Sequence, residues 1–148
     1  IVQKDDWLVM VTEYERATRL IPLDGRPHRE GLEPTFYGDS VAHWEGDTLV
    51  VDTVGFNDRS WIGIVPHTEQ LHMIERLTRT SKDAMEYRIT IDDPGAYTKP
   101  YSGGFDLRFR GDNELFEYMC QQANYAHELM VGRDASDKKI SRTSEIVP

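Results

Sequence analysis

Residues 38–58 read GDSVAHWEGDTLVVDTVGFND, and this stretch decides the fold. Residues 40–44 and 48–56 predict two strands, joined by the polar turn Glu45-Gly46-Asp47. Val41, Trp44, Thr48, Val50, Val51, Thr53, Val54 and Phe56 supply the β-branched and aromatic side chains that a pleated surface favours. Gly46 can take the positive φ that a tight hairpin loop demands. An antiparallel hairpin is the first element to place, and the rest of the chain is read as its neighbours.

On its N-terminal side, residues 7–14 (WLVMVTEY) predict a strand with Trp7, Val9 and Val11 on one face and Leu8, Met10 and Tyr14 on the other. Both faces are apolar, which is the pattern of a central strand. Residues 19–23 (RLIPL) predict a shorter strand, and Pro22 puts it at an edge or ends it early. Asp24-Gly25-Arg26-Pro27 is a turn, followed by a polar loop over residues 28–34.

On its C-terminal side, residues 57–70 form a loop with unusual apolar content: Trp61, Ile62, Ile64 and Val65. Such a loop either packs back onto the sheet or covers a binding site. Residues 71–80 and 84–92 pair as a second hairpin around Ser81-Lys82-Asp83. In the latter, Met85, Tyr87, Ile89 and Ile91 alternate with Glu86, Arg88, Thr90 and Asp92, giving one dry and one wet face. Residues 103–110 alternate in the same way, and residues 114–120 predict a further strand. Residues 121–131 are the one helical segment, with Tyr125, Leu129 and Met130 as its stripe and Gly132 as its stop.

The expected fold is therefore all-β: an antiparallel, lipocalin-like barrel, or a sandwich, of about seven or eight strands, with one short C-terminal helix. Residues 1–133 make a single domain and residues 134–148 a polar tail. At 148 residues the chain is long enough for one core. Its net charge of −9 makes it a poor partner for nucleic acid or anionic membrane surfaces. No apolar run reaches the roughly 20 residues of a membrane helix, so no membrane insertion is expected. The single cysteine, Cys120, cannot close an internal disulfide. The chain opens on Ile1-Val2-Gln3 without an initiator Met, as a processed or truncated chain does.

Glu75 is the most informative candidate for chemistry. It alternates with Leu71, Met73 and Leu77 and so projects from an apolar face. A buried carboxylate is paired, hydrogen-bonded or protonated. It is either half of a structural ion pair with an arginine, a general acid, base or ligand anchor, or a residue turned outward by a bulge. His43 and His72 are the candidate partners in proton transfer. His43, His67 and His72, with Glu75 or Asp52, are the candidate ligands of a divalent metal, but the spacing is not HExxH, and satisfied surface or loop imidazoles are the preferred reading. His28 and His127 read as exposed. Trp44, Trp61, Tyr97 and Tyr118 are the aromatics available to line a ligand cavity. Tyr37-Gly38-Asp39-Ser40 has the letters of the GDS block of some esterases, but it opens a strand and no Asp-x-x-His follows, so Asp39 and Ser40 read as turn chemistry.

Ile1-Val2-Gln3, IPLDGRPH at 21–28, the 38–58 stretch, LHMIER at 71–76, TIDDPGAYTKP at 90–100 and EYMCQQANY at 117–125 together resemble an uncharacterised family of bacterial proteins, mostly exported. The resemblance implies a periplasmic or secreted location. It also implies an N-terminal segment ahead of Ile1, often cysteine-bearing, and with it a disulfide partner for Cys120. It implies no reaction. Three functions remain open on these grounds: an exported barrel binding a small or hydrophobic ligand; an enzyme using a carboxylate–histidine pair or a His-bound metal on a small organic substrate; and an assembly module that dimerises through a strand edge or the Trp61 loop.

Overall fold

The computed structural model describes residues 1–13, 17–63, 65–111 and 114. The described residues are all β. They form two main antiparallel sheets and one small hairpin. The strands in chain order are β1 (Val2–Gln3), β2 (Trp7–Val11), β3 (Thr18–Pro22), β4 (Asp39–Glu45), β5 (Thr48–Val54), β6 (Trp61–Ile62), β7 (Val65–Pro66), β8 (His72–Arg79), β9 (Ala84–Asp92) and β10 (Tyr101–Arg108).

The five-stranded sheet runs β10-β9-β8-β5-β4. The 38–58 hairpin forms one side of it, with β4 at the edge, in register from Asp39 opposite Val54 to Glu45 opposite Thr48. Gly46 turns the chain at φ 59°. Gly38 starts β4 at φ 65°, and a Cβ there would meet the Val54 carbonyl oxygen at 2.5 Å. Only glycine fits both demands. The three-stranded sheet runs β1-β2-β3, so β2 is the central strand that its doubly apolar sequence predicted. Pro22 closes β3 on the sheet's edge.

Because side chains alternate, register fixes the two faces of the large sheet. One face carries Ser40, Ala42, Leu49, Val51, Thr53, Met73, Glu75, Leu77, Tyr87 and Ile91. The opposite face carries Asp39, His43, Asp52, His72, Arg76 and Arg88. Leu8 and Ile21 of the small sheet pack on the first face, against Ala42, Leu49, Val51 and Leu77. A second apolar cluster, Phe56, Leu71, Met73 and Ile91, lies farther along the same face. Fully burying a side chain such as Ile21, Val51 or Leu71 contributes roughly 1.5–3 kcal/mol each, and all three are at most 1% exposed.

The expectation of a closed barrel is not met among the described residues. The large sheet is an open meander, with β10 and β4 as its edges. The small sheet packs on its face and does not pair with it to close a ring. Of the expected strand over 114–120 only Glu114 is described, outside any strand, and the expected helix over 121–131 and tail over 134–148 lie outside the described residues.

Candidate functional site

The boundary between the two apolar clusters is polar. Leu77 belongs to the first cluster and Met73 to the second, and between them on β8 stands Glu75, 3% exposed. Its pairing with Val51 on one side and Ile89 on the other is continuous, so no bulge turns it outward. Arg19, on the inward face of β3, reaches across from the small sheet. Its Nη1 donates to Glu75 Oε1 at 3.0 Å and its Nη2 to Oε2 at 2.6 Å. This two-pronged geometry is the strong form of a charge-assisted hydrogen bond. Nη2 also donates to the hydroxyls of Ser40 and Thr53 at 3.0 Å each, and the Tyr87 hydroxyl donates to Oε1 at 2.9 Å. Burial, then the neighbouring Glu75 charge and the bond to it, push the Tyr87 phenol far above its ordinary value. Ser40 is thus a member of this network. Arg19 Nε is enclosed and meets no acceptor among the described residues.

A cavity opens on each side of this network. The first, about 210 Å³, lies among Met10, Leu77, Tyr87, Phe105 and Leu107. The second, about 260 Å³, has Phe36, Tyr37, Phe56, Trp61, Ile62 and Met73 as its apolar lining and Arg19 and Ser60 as its polar lining. The apolar loop of residues 57–70 supplies Ser60, Trp61 and Ile62 to this second cavity. Within it β6 and β7 pair as a short hairpin, Trp61 opposite Pro66 and Ile62 opposite Val65. Sequence reasoning did not separate these two-residue strands from loop.

The same loop carries a chain of hydrogen bonds that ends at the cavity. Asp93, 1% exposed, accepts from the Thr68 amide and from the Thr68 hydroxyl, each at 2.6 Å, and from the Gly95 amide at 3.0 Å. Burial alone would raise the Asp93 carboxyl, but these donors outweigh it and hold the group below its ordinary value of 3.8. The Thr68 carbonyl oxygen lies 3.2 Å from His67 Nδ1, and His67 Nε2 lies 3.2 Å from Ser60 Oγ. His67 is 7% exposed and stands edge-on to Phe56, with ring centres 5.8 Å apart.

A third cluster occupies the opposite face of the large sheet. His28 Nδ1 is 3.2 Å from Asp39 Oδ2 and its Nε2 is 3.0 Å from Asp52 Oδ1, while His72 Nε2 is 2.9 Å from the same Asp52 oxygen. Arg29 closes on Asp39 through Nε at 2.8 Å and Nη2 at 2.7 Å. Burial pushes the Asp39 carboxyl up, but the Arg29 amide and guanidinium and the His28 ring more than offset it and hold it below 3.8. His28 therefore fastens the 24–34 loop to β4 and β5, rather than standing exposed as its polar surroundings suggested. His127 lies outside the described residues.

These positions redraw the sequence-derived site. The sheet separates Glu75 from both His43 and His72, which project from the other face, so the expected carboxylate–histidine pair is not assembled. Nor do His43, His67 and His72 converge. His43 is on the edge strand, level with Arg76 through Val50, and bonds Glu45 at 3.2 Å. His67 is turned to Ser60, and His72 to Asp52. Among the described residues no group of three His, Cys, Asp or Glu side chains is arranged to hold a metal ion. Of the expected cavity aromatics, Trp61 does line the second cavity. Trp44 is half exposed at the end of β4. Tyr97 is spent on a hydrogen bond to the Pro66 carbonyl at 2.6 Å and an edge contact with Tyr101. Tyr118 lies outside the described residues. Sequence reasoning missed Arg19, Ser60, His28 and Asp93. Only Arg19 left a signal, as a cation alternating with Ile21 on a short apolar strand.

No protein-family model matches the chain, and neither does any curated protein or solved structure. No described helix is long and apolar enough to cross a membrane.

Proposed function

We propose that the domain binds one small apolar or aromatic molecule in the cavity beneath Trp61. The observation that carries this reading is the composition of that space: about 260 Å³ walled by Phe36, Tyr37, Phe56, Trp61, Ile62 and Met73. Size narrows the ligand. An apolar cavity of roughly 150 Å³ admits benzene, whereas drug-sized ligands occupy roughly 300–1,000 Å³. A single ring with a short substituent fits, and a long-chain lipid does not. Trp61 is 66% exposed and Phe36 54%, so the walls present apolar surface that a ligand would cover. Arg19, which lines the cavity, is held in place by its two bonds to Glu75.

The reading treats the two sheets as a small sandwich with its binding site at one end. The periplasmic or secreted setting implied by the family resemblance belongs to the same proposal.

The test is a titration of the full chain with p-nitrophenyl butyl ether, followed through the indole N–H resonance of Trp61 and assigned by its loss in Trp61→Phe. A saturable shift that weakens by on the order of tenfold in Ile62→Trp, which fills the cavity, is expected. No shift of that resonance at the solubility limit of the ether sinks the proposal.

A further inference from the structure

The geometry points to Ser60 as a nucleophile that takes an acyl group from a small apolar carboxylic ester, with His67 as its base; this rests on the cavity of the previous section being the binding site. The tautomer of His67 follows from its partners. The Thr68 carbonyl oxygen can only accept, so the nitrogen facing it at 3.2 Å, Nδ1, carries the proton and donates. Nε2 of the neutral ring then holds a lone pair, and the Ser60 hydroxyl 3.2 Å away donates to it. This is the polarity that nucleophilic serine chemistry needs: hydroxyl donating to base, and base donating to a third group that orients it.

The orienting group is itself fixed. Thr68 is held through its amide and its hydroxyl by the buried Asp93, which follows directly on β9. The ring is steadied by Phe56. Ser60 is half exposed and lines the same apolar cavity as Trp61 and Phe56. A nucleophile, an oriented base and an apolar recess therefore meet at one place.

The step balances without a cofactor. Ser60 Oγ attacks the ester carbonyl carbon as its proton passes to His67 Nε2. The C–O bond to the leaving alcohol breaks, and His67 returns the proton to that oxygen, leaving the acyl group on Ser60. Water then attacks the acyl carbon with its proton taken by Nε2. The bond to Ser60 breaks, Ser60 is reprotonated, and the carboxylic acid leaves.

The experiment is incubation of the full chain with p-nitrophenyl butyrate, an acid quench and peptide mapping by mass spectrometry, alongside the rate of nitrophenol release. One butyryl group on Ser60 is expected. Ser60→Ala should cut nitrophenol release by on the order of 100-fold, and Ser60→Cys should retain the acyl adduct. Melting curves of both variants establish that they fold. Butyryl found only on lysines, or nitrophenol release unchanged in Ser60→Ala, overturns the inference. If the wild type shows the Trp61 shift with the uncleavable ether yet no adduct on Ser60, the acyl chemistry falls and the binding site stands; if it shows neither, both fall.

Discussion

Arg19 on β3 and Glu75 on β8, 56 positions apart in the chain, meet between the two sheets in a two-pronged ion pair at 3.0 and 2.6 Å. The pair divides the core. Leu8, Ile21, Ala42, Leu49, Val51 and Leu77 lie on one side, and Phe56, Leu71, Met73 and Ile91 on the other, with a cavity beside each. A continuous hydrophobic layer would hold the sheets together without this interruption, and burying two charges is costly in itself. What the pair contributes is position: it fixes how β3 lies across β8 and keeps a polar floor between two apolar spaces.

Removing one partner should therefore cost more stability than removing both. Glu75→Gln leaves the Arg19 charge buried without its counter-ion and should destabilise the fold by about 3–5 kcal/mol. The double variant Arg19→Met/Glu75→Leu leaves no charge and should recover most of that loss. Urea unfolding of the wild type, both single variants and the double variant closes the cycle. A double variant as unstable as Glu75→Gln would contradict the assignment. Ether binding at Trp61 should survive in the double variant, because Glu75 does not line that cavity and Met puts an apolar side chain in the place of Arg19.

Tyr87 marks the alkaline limit of stability. Burial and the adjacent Glu75 carboxylate raise its phenol well above 10.0, while the unfolded chain ionises near 10. A group whose folded value is raised contributes stability that is complete below the unfolded value and is lost as pH rises above it. The wild type should lose stability above about pH 10 more steeply than Tyr87→Phe. Denaturation midpoints measured across that range check this. Equal slopes would mean that Tyr87 ionises with the exposed tyrosines.

Much of this arrangement is legible in the chain, and the rest is hidden for a definite reason. The alternation of Met85, Tyr87, Ile89 and Ile91 placed β9, and the doubly apolar run from Trp7 placed β2 between two neighbours. These are local signals of period two. Glu75 announced itself by breaking such a pattern. Ser60 and His67 did not, because their contact depends on how the 57–70 loop closes, and no periodicity records that. His28 was equally silent: its partners Asp39 and Asp52 are 11 and 24 residues away. Whether the large sheet closes depends on which edges meet, and edge strands alternate like central ones.

Gly38 tests the geometry at the start of β4. Any side chain there must adopt φ near 65° and place Cβ 2.5 Å from the Val54 carbonyl oxygen and 2.8 Å from the Thr53 side chain. The left-handed conformation alone costs about 1–3 kcal/mol for a non-glycine residue, and the clash adds to it. Gly38→Ala should be clearly destabilised in thermal unfolding. Gly25→Ala is the control: it has φ 72° but nothing within 4 Å of the added carbon, and should lose only the conformational part. Equal losses would remove the close approach from the account.

Asp93 sets the acid limit and reaches the candidate nucleophile through Thr68. Its carboxyl is held below 3.8 by the Thr68 hydroxyl and amide and the Gly95 amide, which together outweigh its burial. A carboxylate with a depressed folded value contributes stability that is complete above its unfolded value and is lost as pH falls through the folded one. The loss should therefore begin near pH 4 and deepen below it. Asp93→Asn should flatten that limb, since a neutral amide binds no proton there. It should also be less stable at neutral pH, because its amide nitrogen cannot accept from Thr68. The same substitution frees the Thr68 carbonyl that orients His67, so acylation of Ser60 should slow in Asp93→Asn even where the variant is fully folded. A folded Asp93→Asn with wild-type acylation would show that Asp93 holds the turn without positioning His67.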